Sequence, residues 1–423
     1  MYQEKKLANG LKLILSPLKE TKAVTVLILL PVGSRYETKE INGVSHFIEH
    51  LMFKGTAKRP NTLAISKALD AVGAEYNAFT SKDHTGYYVK VAADKIELAF
   101  DILSDMLLNS IFDTKEIDKE RGVIVEEINM YEDNPLMYIQ SVFEQITFGA
   151  DQPLGQQIAG PRSVIKNVSR EKIIAYRDKF YNPANMIVTV AGNFDAKKVT
   201  ALSQKYFSTP KNKIVEQKFK PVKITQTKPQ IDLLHKKTEQ VNLCLGFPAF
   251  RLGDPKIYPL LLLAIILGGN MSSRLFINVR EKEGLAYFIR ASVDSYQDIG
   301  TIFVQAGLDR KRIKQAISLI LLELKKIKKD GATSEELQSA KEFVKGKLVL
   351  DLEDSENIAD WLGKQQLLLN KIILPSEYLK KIMAVKSSDI KKIANEIFVT
   401  KKINLALIGP YKNKEEFKPL LKV

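Results

Sequence analysis

The 423-residue sequence predicts an α+β protein made of two similar α/β domains, each a mostly antiparallel sheet with helices. Two observations predict it. Short runs of β-branched residues alternate with segments of helical apolar period, and the same order of segments recurs about halfway along the chain. Gly73-Ala-Glu-Tyr76 opens a stretch that passes through Tyr87–Val91 into a helical pattern from Asp94 to Leu108. Gly284-Leu-Ala-Tyr287, 211 residues on, opens its counterpart, through Thr301–Gln305 into Asp309–Leu324. A second pair, Val168 to Gly192 and Val385 to Gly409, is offset by 217 residues. Two anchors with nearly one offset read as an internal duplication.

In chain order, Leu11–Leu15 and Val24–Leu30 read as strands. Tyr76–Thr80 and Thr85–Val91 read as a hairpin around Ser81-Lys82-Asp83. Residues 208–230 carry three prolines and a run of lysines with no sustained apolar period, which is linker composition. The expected division is an N-terminal domain at 1–208, a linker at 209–228 and a C-terminal domain at 229–423. In the second half the apolar Tyr258–Leu267 is well short of the ~20 residues of a membrane span and reads as a buried helix. Lys325–Asp330 reads as a solvated helix end.

Composition narrows the function. A hydrophobic fraction of 45% and a charged fraction of 27% exclude a disordered or fibrous chain. Cys244 is the sole cysteine, so an intrachain disulfide and a Cys-rich metal site are excluded, and its apolar surroundings place it in the core. No cleavable leader pattern opens the chain, so a cytoplasmic location is expected. The net charge of +15 invites a nucleic-acid or membrane reading. No nucleic-acid module or basic-aromatic interleaving accompanies it, and neither partner is expected.

The informative segment is Asn42 to Gly55. Asn42 can cap a helix start and Gly55 can end it. At ~100° per residue, His50 falls about 40° from His46 and Glu49 about 60° to the other side, while Val44, Phe47, Ile48 and Leu51 lie opposite. Two imidazoles at i, i+4 can point both rings at one Zn²⁺, and a carboxylate one turn from His46 is close enough to hold a water there. The chain has only four histidines, which makes a chance surface pair a poor reading. His84 and His235 have no partner pattern and read as turn or surface residues. A third ligand is sought on the segment Asp113 to Tyr131, where Asp113 and Glu116 form a capping-box pattern. Ile117, Ile124 and Ile128 define its buried seam, with Glu120 and Glu127 on the seam's edge and Glu126 outward. The wheel leaves Glu120 and Glu127 equivalent. In the second half, Gly268-Gly269 fits no phosphate-loop pattern.

His46-Phe47-Ile48-Glu49-His50 resembles the inverted zinc motif of the pitrilysin-type (inverzincin) metallopeptidases. The surroundings, Leu51–Thr56, Tyr76–Ser81, Glu120-Arg121, Tyr181–Met186 and Ala191-Gly192-Asn193, are similar to the small mitochondrial-processing-peptidase-like branch. The resemblance implies one Zn²⁺ per chain held by His46, His50 and Glu127, with Glu120 supporting the site from behind and Glu49 as the proton carrier. It implies that Arg280 and Tyr287 donate hydrogen bonds to the substrate carbonyl, and that Asn77, Ala78, Phe79 and Thr80 take a peptide as an added strand. It further implies two domains facing each other as a clamshell around unfolded or processing peptides. A chain carrying both elements fits a self-sufficient chain or a homodimer. A heterodimer with a related subunit, or a non-catalytic partner subunit, is the other expectation.

Overall fold

The computed structural model describes residues 2–208 and 218–423, so positions 209–217 of the expected linker lie outside the described residues. Among the described residues, eleven strands form two sheets. The first contains β1 (Gln3–Lys6), β2 (Lys12–Pro17), β3 (Ala23–Leu30), β4 (Glu75–Thr80), β5 (Thr85–Ala92) and β6 (Ile187–Gly192), in the order β1-β2-β6-β3-β5-β4. The second contains β7 (Gln230–His235), β8 (Gln240–Ala249), β9 (Ala286–Ser295), β10 (Gly300–Asp309) and β11 (Asn404–Gly409), in the order β7-β11-β8-β10-β9.

The two orders are the same once β1 is set aside. In each sheet the second strand of the shared order is parallel to the first, as β6 is to β2 and β11 to β7, and the remaining pairs are antiparallel. The duplication read from the spacing is therefore present as topology. Its first anchors are Gly73 and Gly284, which both adopt left-handed backbone, at φ +63° and +60°, just before β4 and β9.

Contacts divide the chain into two compact units. One comprises Met1–Ile128, Gln156–Lys220 and Val349–Ile372; the other comprises Asn129–Gly155, Pro221–Leu348 and Ile373–Val423. Each unit thus holds a helix from the opposite half of the sequence. In the first, the Ser355–Leu369 helix lies on β3 and β6, with Ala359 and Leu362 buried against residues such as Leu27, Leu29 and Ile187. A buried Thr25–Ser355 hydroxyl pair at 2.8 Å fixes its start. Gly363 allows the close approach, since a Cβ there would sit 2.7 Å from Leu29 and from Thr189. In the second, the Pro135–Phe148 helix lies on β8 and β11, with Ile139, Val142 and Phe143 buried against Cys244, Phe303, Ala406 and Ile408. Cys244 is core, as its apolar run predicts.

The metal-site side chains all lie in the first unit, which takes the Thr114–Asp133 helix as far as Ile128. The Val44–Met52 helix buries Val44, Phe47, Ile48, Leu51 and Met52, the face opposite His46 and His50. The Thr114–Asp133 helix buries Ile117, Glu120, Ile124 and Ile128, a seam of one residue per turn or two that packs into the same core. Asp113 accepts hydrogen bonds from the Lys115 and Glu116 amides, which starts that helix as the sequence predicts. No described helix is long and apolar enough to cross a membrane.

Two expectations need correction. Asn42 does not cap the Val44–Met52 helix. The cap position is Gly43, at φ +98°, where a Cβ would meet the Ala159 carbonyl at 2.4 Å. The free amides are taken instead by the buried Glu37 carboxylate, which accepts from Gly43 N–H at 2.6 Å and Ser45 N–H at 2.7 Å, with Asn42 Nδ2 bracing it at 3.0 Å. His84 does lie in the β4–β5 turn, but it is buried rather than a surface residue, and burial pushes its pKa down to about 3. His235 is exposed at the end of β7.

Candidate metal centre

The Val44–Met52 helix presents His46 and His50 one turn apart, with ring centroids 4.7 Å from each other. The Thr114–Asp133 helix brings Glu127 against both. Its Oε2 lies 3.5 Å from His46 Nε2 and 3.3 Å from His50 Nε2. Among the described residues these three form the one group of His, Cys, Asp and Glu donors that could hold a metal ion, with ligand atoms all within 4.8 Å of one another. The spacing fits zinc. Ligand atoms set tetrahedrally at about 2.1 Å from Zn²⁺ are about 3.4 Å apart, and the two observed separations match that edge. The donors are also the nitrogen and oxygen type that zinc takes.

Glu120 holds His50 from behind. It is 3% exposed, and its Oε2 lies 3.1 Å from His50 Nδ1 while Oε1 lies 2.7 Å from Lys54 Nζ. A carboxylate on Nδ1 keeps a proton there and leaves Nε2 as the nitrogen facing Glu127. Burial alone would raise Glu120, but the hydrogen bonds from His50 and Lys54 outweigh it and hold the carboxylate below its ordinary range. Glu127 is likewise held low, chiefly by its hydrogen bond with His50. Burial opposes charge on His50, yet its hydrogen bonds with Glu120 and Glu127 push it up to about 9. Burial, and then the neighbouring His50, push His46 down to about 4. Charge is therefore favoured on His50, the ring flanked by two carboxylates, and disfavoured on His46. Glu126 is exposed, as the helical wheel predicts.

Glu49 stands on the same helix, partly buried, with Oε2 accepting from Thr80 Oγ1 at 2.5 Å. Burial raises its pKa, and the Thr80 hydrogen bond opposes that rise. Thr80 closes β4, which among the described residues is the outermost strand of its sheet, paired on one side with β5. Asn77, Ala78 and Phe79 precede it on this edge. Arg280 and Tyr287 belong to the second unit. Arg280 ends a short helical turn, Phe276–Glu281, with its guanidinium 4.7 Å from the Phe276 ring centroid, and Tyr287, 64% exposed, lies at the start of β9.

Three supporting residues carried no sequence signal of their role. Lys54 reads only as a basic residue in a helix's last turn. Glu37 lies six residues ahead of the amide that it caps, outside any local capping pattern. Tyr176, whose hydroxyl is 3.0 Å from Ser45 Oγ beneath the helix, reads as an ordinary core aromatic.

Residues 13–162 match the family model described as insulinase (peptidase family M16), and residues 167–344 match the one described as the peptidase M16 inactive domain. A Bacillus subtilis protein named uncharacterized zinc protease YmxG is 36% identical over 410 residues, covering 96% of this chain and 97% of its own. An uncharacterized zinc protease of Streptomyces coelicolor is 34% identical, covering 97% and 90%. A solved protease from Helicobacter pylori superposes with a TM-score of 0.90 at 24% identity, covering 97% of this chain and 99% of that one. A Pseudomonas fluorescens structure described as a peptidase M16 inactive domain superposes at 0.89 and 18% identity, covering 97% and 98%. These structures share its two-sheet fold, and the two family models together with relatives matching over nearly the whole length establish that the chain belongs to peptidase family M16.

Proposed function

We propose that the protein is a zinc-dependent endopeptidase acting on unfolded or processing peptides, with His46, His50 and Glu127 as the metal ligands. The observation that carries this reading is the convergence of two imidazoles and a carboxylate, with Glu127 Oε2 3.5 and 3.3 Å from the two Nε2 atoms and a second, separately held carboxylate beside them. Zinc bound there would supply Lewis-acid polarisation and charge stabilisation for amide hydrolysis. The chain's own residues do the rest. Glu120 fixes His50 so that Nε2 faces inward. Glu49, with Oε2 held by Thr80, has Oε1 left to take a proton from the attacking water and to return it to the leaving amine. Burial raises Glu49 above the ordinary carboxylate value, and the Thr80 hydrogen bond opposes that rise. Arg280 and Tyr287 are proposed as donors to the substrate carbonyl, and Asn77–Thr80 as the edge to which a peptide adds as a strand. The sequence resemblance supports those two roles.

The test is peptide cleavage by the zinc-loaded protein, read by mass spectrometry on a peptide library. Glu49→Gln should abolish turnover and keep zinc. Full activity in that variant would refute the assignment. Because residues 167–344 match a model described as inactive, a non-catalytic partner subunit is the second reading. Stoichiometric zinc with chelator-sensitive cleavage separates the two. A homodimer is proposed for the working state, and sedimentation equilibrium decides it.

A further inference from the structure

We propose that Thr80 is the positioning residue for Glu49, which fixes which carboxylate oxygen works on the substrate; this rests on the reading of Glu49 as the proton carrier. The Thr80 hydroxyl donates to Glu49 Oε2 at 2.5 Å. A carboxylate on a helix can turn about its side-chain torsions, and either oxygen could face the reacting atoms. One donated hydrogen bond ends that equivalence by engaging Oε2 and leaving Oε1 free.

For such a contact to hold the carboxylate, the hydroxyl must itself be immobile, and the surroundings of Thr80 provide this. Its χ1 is restricted by β-branching, and its backbone pairs with Thr85 at the closed end of the hairpin. The turn that follows is tied down residue by residue. Ser34 N–H and Arg35 N–H donate to the carbonyls of Ser81 and Lys82, each at 3.1 Å. Arg35 pairs with Asp83 at 2.8 Å, with side chains 1% and 5% exposed. Ser81 Oγ bonds His84 Nδ1 at 2.9 Å, and Thr85 Oγ1 donates to the Val32 carbonyl at 2.7 Å. Gly33 lies so near this turn that a Cβ would sit 2.2 Å from the Ser81 carbonyl oxygen. The turn is buried, with Lys82, Asp83 and His84 at most 8% exposed, and it holds the strand end that sets one hydroxyl against one carboxylate oxygen. Thr80 is also the last residue of the edge strand β4, so a peptide added beside β4 would be registered against the same residue that sets the proton carrier.

The experiment compares zinc-loaded wild type, Thr80→Val, which keeps the shape and loses the hydroxyl, and Thr80→Ser, which keeps the hydroxyl. Loss of a hydrogen bond to a charged group predicts a fall in kcat of about ten- to hundredfold in Thr80→Val. KM, zinc content and Tm should stay near wild type, and Thr80→Ser should recover most of the rate. Unchanged kcat, a rise in KM alone, loss of zinc, or a Ser variant as slow as the Val variant would each overturn the proposal. If zinc-loaded wild type cleaves no peptide, the peptidase reading fails on its own. The proposal is then decided by crystals of Thr80→Val, in which Glu49 must leave its wild-type rotamer; an unmoved Glu49 overturns it.

Discussion

Glu120→Gln is expected to weaken zinc binding without unfolding the protein, and the size of the loss follows from two contacts. One Glu120 oxygen lies 3.1 Å from His50 Nδ1 and the other 2.7 Å from Lys54 Nζ. A glutamine has one acceptor oxygen where the carboxylate has two. If that oxygen stays on His50, the amide N–H₂ is turned onto the Lys54 ammonium, donor against donor. If it stays on Lys54, the amide donates to Nδ1 and drives the imidazole proton to Nε2, the nitrogen needed for the metal. Either orientation replaces the carboxylate behind His50 by a neutral amide, so the charge-assisted hydrogen bond that orients the imidazole, worth about 1.5–3 kcal/mol, is lost or weakened. At about 1.4 kcal/mol per decade, this is roughly a ten- to hundredfold rise in zinc Kd, the range typical for carboxylates behind metal-binding histidines. The assay is competition against a fluorescent chelator at neutral pH. Glu126→Gln, at an exposed site one residue from Glu127, is the control and should bind as wild type. An affinity for zinc in Glu120→Gln within a factor of about two of wild type would refute the assignment of His50 Nε2 as a ligand atom oriented through Nδ1.

Other outcomes follow from the same contacts. Burial pushes Glu37 up to about 7 from an ordinary 4.5. A raised folded-state value means that its stabilising contribution is complete below the ordinary value and lost as pH rises through about 7, a swing on the order of 3 kcal/mol. Urea titrations should show wild type losing stability relative to Glu37→Gln between about pH 5 and 8, and parallel profiles would contradict this. Lys54→Met should raise the zinc Kd less than Glu120→Gln does, because the His50 contact survives; chelator competition measures both. Phe143→Ala removes a ring 1% exposed that packs 5.6 Å from Phe303. It should cost about 3–5 kcal/mol in the second unit while zinc still binds. Calorimetry with a zinc titration reads both, and concerted loss of zinc would count against this helix belonging to the second unit.

How much was legible from the residues depends on whether a feature is local along the chain. The histidine pair was, because i, i+4 spacing and the apolar face of Phe47, Ile48 and Leu51 fix both the helix and the direction of the rings. The third ligand was only half legible. Glu120 and Glu127 are seven residues apart, two turns, so a helical wheel places them at nearly the same angle. They differ along the axis by about 10 Å, a coordinate the wheel does not hold. The structure resolves them by height. Glu127 Oε2 faces both Nε2 atoms, while Glu120 lies on the Nδ1 side of His50, between it and Lys54. Glu37 escaped for the same reason, since a cap that folds back across a 3-10 turn, Lys39–Ile41, leaves no i, i+3 signature. The hydrophobic period of 135–148 and of 355–369 states that each helix has a face to bury, but not which sheet receives it. Only packing reveals that each sheet is covered by a helix from the other repeat, so continuity of sequence and membership of a compact unit are separate properties of this chain.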